Sequence, residues 1–134
     1  MDKYIVYKKL IPLLHAEYHA KFDLTSHKLL QDVYIDNKKL FEKVLKEFTK
    51  LKQPDLYAQM LKSLVFADID MRNRYVEKII KRCLVCDSKS IIERAIFTLE
   101  VINDKKFIKK FKRIKILKSK ALKERFEKVL NNLS

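Results

Sequence analysis

The chain has no glycine in 134 residues. Average usage near 7% would place roughly nine in a chain of this size. Glycine adopts positive backbone φ at little cost and lets a backbone approach a phosphate closely. Its absence excludes the glycine-rich phosphate loop, the dinucleotide fingerprint and the nucleophile elbow. It also disfavours two-residue hairpins between strands. Tryptophan is missing as well, and proline and cysteine occur twice each. Two cysteines make no disulfide framework. No apolar run approaches the roughly 18 residues that span a bilayer. The opening Met1-Asp2-Lys3-Tyr4 lacks the pattern of a signal peptide. These absences predict a soluble protein of a reducing, cytoplasmic compartment, with no membrane partner.

What is present favours helices, with Asn, Asp and Ser left to make the turns. A chain this long can bury the core of one domain, so residues 1–134 read as a single all-helical domain. Residues 3–21 carry apolar positions from Tyr4 to Tyr18, in a helix kinked or restarted near Pro12. Thr25 or Ser26 caps a helix with Leu29, Leu30, Val33 and Tyr34 inward. Asp36 or Asn37 caps the next, with Leu40, Phe41, Val44, Leu45 and Phe48 inward. Pro54 suits a first helical position ahead of Leu56, Tyr57, Met60, Leu61 and Leu64. A turn at Ala67 to Asp70 leads to Tyr75, Val76, Ile79, Ile80 and Cys83. Asp87, Ser88 or Ser90 then caps a helix whose stripe is Ile91, Ile92, Ala95, Ile96, Leu99 and Ile102. Asn103-Asp104 breaks it, a stripe restarts at Phe107, and Ser119 opens a last helix with Leu122, Phe126, Val129 and Leu130.

These helices align with one another. Leu56, Tyr57, Met60, Leu61 and Leu64 match Ile91, Ile92, Ala95, Ile96 and Leu99 at an offset of 35. Ile91, Glu93, Arg94 and Leu99 match Leu122, Glu124, Arg125 and Leu130 at 31. Leu40, Phe41 and Val44 match Tyr75, Val76 and Ile79 at 35, and those match Phe107, Ile108 and Phe111 at 32. A period in this range marks stacked helical hairpins.

Ile91-Ile92-Glu93-Arg94-Ala95, with Leu99, Ile102, Asn103-Asp104 and Phe107, resembles a HEAT-like repeat. Lys123-Glu124-Arg125-Phe126 looks like a poorer copy, with Phe126 where Ala95 stands. The resemblance is best marked over residues 87–111. It implies an all-α, right-handed stack of antiparallel helical hairpins, an α-solenoid. Residues 1–35 would form a degenerate capping unit and 36–134 about three hairpins. A compact helical bundle is the alternative. HEAT-like proteins are mostly binding scaffolds. One branch comprises DNA glycosylases, which are longer and use an aromatic cluster including Trp, absent here.

Charge carries the strongest functional signal. The formal net charge is +14, and residues 104–134 hold twelve basic and three acidic groups, net +9. Such a field draws acidic partners. On a helical wheel from Lys105 to Lys120, Phe107, Ile108, Phe111, Ile114 and Leu117 cover one side. Lys105, Lys109, Lys112 and Arg113 cluster opposite, flanked by Lys106 and Lys110. Ile116 falls on the basic side, as an exposed contact residue. Lys115, Lys118, Lys120 and Lys123 continue the charge, which makes these ten cations the candidate binding set. Several cations on one face neutralise several phosphates. Tyr and Phe fall within apolar stripes, so no stacking platform for single strands is evident. A solvated lysine-rich face is the plain alternative.

Other candidates point to structure. Cys83-Leu84-Val85-Cys86 is a lone C-x-x-C without the second pair a zinc site needs. It stands at a helix C-terminus, where the dipole disfavours a thiolate, so Cys83 reads as core and Cys86 as partly buried. His15 and His19 share a helix face, but Glu17 points elsewhere and the zinc-protease pattern is not met. Glu77 and Lys81 are an i,i+4 pair. The reading is therefore a non-enzymatic module without metal or cofactor. Its basic surface docks on nucleic acid, DNA or RNA, without sequence specificity. The alternative is an adaptor binding an acidic protein.

Overall fold

A computed structural model describes residues 25–50, 54–116 and 118–131, with side chains from Leu30 onward. The expectations placed on residues 3–21, including Pro12, His15 and His19, lie outside the described residues. Among those described the chain is all-helical, without a strand. It divides into two compact units, Met1–Ile69 and Asp70–Ser134.

The first unit contains α1 (Thr25–Asp36), α2 (Lys38–Thr49) and α3 (Pro54–Phe66). Asn37 is the cap of α2, its side-chain oxygen accepting from the Leu40 N–H at 3.1 Å. The amphipathic spacing then buries Leu40, Phe41, Val44, Leu45 and Phe48. Helix α1 packs on both α2 and α3. Leu30 and Val33 supply its buried side, and Ile35 is exposed. Tyr57 is fully buried and resolves its hydroxyl by donating to the Thr49 carbonyl at 2.8 Å.

The second unit contains α4 (Arg74–Leu84), α5 (Lys89–Ile102), the single turn α6 (Lys105–Ile108), a 3₁₀ turn at Lys109–Phe111, and α7 (Lys120–Asn131). Helix α5 packs on α4 and on α7. Its stripe Ile91, Ile92, Ala95, Ile96 and Leu99 is buried, as are Val76, Ile79, Ile80 and Cys83 of α4. Phe107, Ile108 and Phe111 are buried beneath the basic segment. Fully removing a side chain such as Phe111 from water contributes roughly 1.5–3 kcal/mol.

The turns use the residue types expected of a glycine-free chain. Asp68, Asn103 and Ser119 hold positive φ of 54°, 44° and 64°. Asn and Asp tolerate this region because their short polar side chains bond locally. Asn103 ends α5 with its N–H on the Leu99 carbonyl at 3.0 Å. Asp68 stands 35 residues earlier, just past α3. The five positions from Leu56 to Leu64 that align with the α5 stripe are likewise buried. So are Ser63 and Thr98, again 35 apart.

Beyond Phe111 the expectation of one continuous basic helix is overturned. The chain turns at Lys112–Arg113 and runs non-helically through 114–116. Ile116, expected on the exposed basic side, is only 4% exposed. Two causes act together. Continued helix would stack Lys109 on Arg113 and bring Lys112 beside Lys115, like-charge pairs that each oppose it. Leaving the helix turns Ile116 inward, which recovers the burial energy of a large aliphatic side chain.

Candidate functional site

The basic segment is held at its start by a carboxylate with two tasks. Asp104 Oδ1 caps α6 by accepting from the Phe107 N–H at 2.8 Å. Its Oδ2 accepts from Arg72 Nη1 at 3.1 Å. Arg72 also holds Asp70 by two contacts of 3.0 Å. The Phe107 N–H, followed by Arg72, holds the Asp104 carboxyl below its ordinary range. A second tie follows at Glu77, which takes Lys81 at 2.8 Å and Lys110 at 3.5 Å. Burial pushes the Glu77 carboxyl up, but the hydrogen bond and charge of Lys81 and the charge of Lys110 outweigh it.

Residues 70–134 hold nineteen basic and eight acidic groups, net +11. Six of those acids are already engaged: Asp70 and Asp104 by Arg72, Glu77 by Lys81 and Lys110, Asp87 by Lys118, and Glu93 and Glu100 by Arg125. Of the ten candidate cations, Lys110 and Lys118 are therefore ion-paired. Lys105, Lys106, Lys109, Lys112, Arg113, Lys115, Lys120 and Lys123 are exposed, and none pairs with another described residue. The local field is thus positive and uncompensated along 105–123.

Three of these cations converge. Lys112, Lys115 and Lys123 line a groove of about 350 Å³ with Ile114, Ile116, Phe126, Leu130 and Glu127. The groove exists because the chain leaves the helix at Lys112 and α7 then presents Phe126 and Leu130 to the same space. Ser119 sets the direction of α7, its hydroxyl accepting from the Leu122 N–H at 3.3 Å. Ile116 and Phe126 form a buried floor, and Ile114 and Leu130 are half-buried at its sides.

A second surface lies on α5. Phe97 and Val101, one turn apart on α5, are 39% and 46% exposed. The Arg94 guanidinium lies 5.4 Å from the Phe97 ring centroid. Phe97 falls outside the α5 stripe, so its spacing already carried the signal. Arg125 borders this patch, held by Glu93 and by a 2.5 Å contact to Glu100.

The cysteine pair occupies the places its spacing implied. Cys83 is buried and Cys86 partly so. Burial, with a smaller push from Cys86, raises the Cys83 thiol well above its ordinary value, which disfavours a thiolate nucleophile or ligand. Among the described residues no three His, Cys, Asp or Glu side chains gather as a metal site. No helix among them is long and apolar enough to cross a membrane. Comparison with protein-family models, with curated proteins and with solved structures returns no match.

Proposed function

We propose that this chain is a non-enzymatic binding module whose basic surface docks on nucleic-acid phosphates without reading sequence. The observation that carries this reading is the compensation pattern. Six of the eight acids of residues 70–134 serve internal ion pairs, while eight candidate cations remain exposed without one among the described residues. A solubilising surface intersperses both signs, whereas a phosphate-binding surface leaves one sign unanswered. In architecture we read a HEAT-like, right-handed stack of helical hairpins. Equivalent buried positions and left-handed turn residues at an offset of 35 support it.

The test is binding to a labelled random-sequence duplex between about 50 and 200 mM salt. If about four cations reach phosphates together, the logarithmic salt slope is about −3.6, and affinity falls roughly a hundredfold across that range. Changing Lys109, Lys112 and Arg113 together to Glu should remove between two and three units of slope. An absence of binding at the low-salt end, to the duplex and to a single strand of the same sequence alike, sinks the reading. The adaptor reading has its own observation in the exposed Phe97 and Val101. Ile116 no longer serves it, being buried. An acidic protein partner would be released by Phe97→Ser, whereas phosphate docking would not change.

A further inference from the structure

We infer that the groove beneath Lys112, Lys115 and Lys123 seats one unpaired nucleotide, which makes the surface selective for single strands over duplex. The inference rests on the phosphate-docking reading and adds to it a base-binding seat. The groove combines two demands on its occupant. Three ammonium groups against the single carboxylate of Glu127 ask for anions. The sides and floor, Ile114, Ile116, Phe126 and Leu130, ask for an apolar surface between those anions. A volume of about 350 Å³ suits one base with its sugar.

An inorganic anion satisfies the lysines alone, and an aliphatic ligand satisfies the floor alone. A short acidic peptide meets both demands inside the groove but not outside it. The uncompensated cations continue beyond the groove to Lys105, Lys106, Lys109 and Arg113. A ligand that answers all of them repeats its negative charge along its length and offers a flat apolar group between charges. A single-stranded nucleic acid has that pattern. A duplex has the charge but hides its bases in the stack. No covalent step is involved.

The sequence predicts no single-strand platform, because its aromatic residues serve apolar stripes. The seat here is instead mostly aliphatic, and it arises only because the chain leaves the helix after Phe111.

The experiment uses the unmodified full chain and three labelled probes of equal length and phosphate number per strand. One is a random-sequence single strand, one its abasic counterpart, and one the duplex. Affinities are read by fluorescence anisotropy at a fixed, moderate salt concentration. The single strand should bind about tenfold tighter than the abasic strand, because only the former fills the groove. Ile114→Asn, an uncharged change at a half-buried position, should abolish that ratio while leaving duplex binding within about threefold, and circular dichroism checks its fold. Equal binding of the intact and abasic strands overturns the seat and leaves phosphate docking standing. Tighter binding of the duplex than of the single strand also overturns it. Failure of all three probes removes the docking reading itself, and the seat with it.

Discussion

Asn103 offers a direct test of how a chain without glycine makes its turns. Its φ of 44° and ψ of 45° lie in the left-handed region. An ordinary side chain there brings Cβ against the following carbonyl at a cost of roughly 1–2 kcal/mol. Asparagine is partly relieved because its amide bonds locally. The side chain is exposed, so replacement loses little packing. Asn103→Ala keeps the N–H bond to Leu99 and should lose about 1 kcal/mol, the local relief of asparagine. Asn103→Val adds β-branching and should lose about 2 kcal/mol. Asn103→Gly removes the clash but gives the unfolded chain extra freedom, about 0.4–1 kcal/mol, so it should fall within about 0.5 kcal/mol of the wild type. Urea unfolding followed by circular dichroism resolves these steps, since the valine loss moves the midpoint by about 1 M. Valine matching the wild type, or glycine falling as far as valine, would refute the left-handed assignment.

Two further outcomes follow from the packing and the charges. Phe111→Ala removes a fully buried ring that ends the 3₁₀ turn, and should cost about 3–5 kcal/mol in the same unfolding assay. Glu77→Gln should change how stability varies with pH. The folded carboxyl titrates below its ordinary value of 4.5, so its contribution is present above that value and is lost as pH falls through the folded one. The variant should therefore be less stable than the wild type at about pH 7, by no more than roughly 1 kcal/mol, and converge with it as pH falls below the folded carboxyl's titration. A difference that persists unchanged to the acid end would assign the effect to packing instead of charge.

Much of the helical framework was legible because its causes are local. Periodicity located the buried stripes of α2, α3 and α5, since spacing on a regular helix decides which side chains share a face. Cap chemistry placed helix starts within a residue or two, and the structure then selected Asn37 and Ser88 among neighbouring candidates. The lack of glycine located the burden of positive φ on Asp, Asn and Ser, where it is found. Phe97 follows a different rule. Composition assigns phenylalanine to the core, but Phe97 lies off the stripe, and position outranks residue type on an amphipathic helix.

The failure at Ile116 has a different origin, and it bears on the site. A helical wheel assumes that the helix continues, and a window around Lys112 sets only a few weak like-charge contacts against that assumption. The larger cause that ends the helix is nonlocal. Burial of Ile116 becomes available only where Phe126 and Leu130 of α7, ten and fourteen residues onward, line the same space. The competition is then between a few like-charge helical contacts and the burial of a large aliphatic side chain, and burial contributes more. The same event creates the groove, because a continuous helix would set Lys112 and Lys115 apart from α7. Charge in this region could be counted from the sequence, but its convergence on an apolar floor could not. The ten candidate cations accordingly divide by place: Lys110 and Lys118 are tied down in ion pairs, Lys112, Lys115 and Lys123 surround a groove, and the other five remain exposed outside it. Charge reversal should therefore separate them. Lys123→Glu should weaken single strands more than duplex, and Lys106→Glu should weaken both alike, each within the tenfold range of a single phosphate contact.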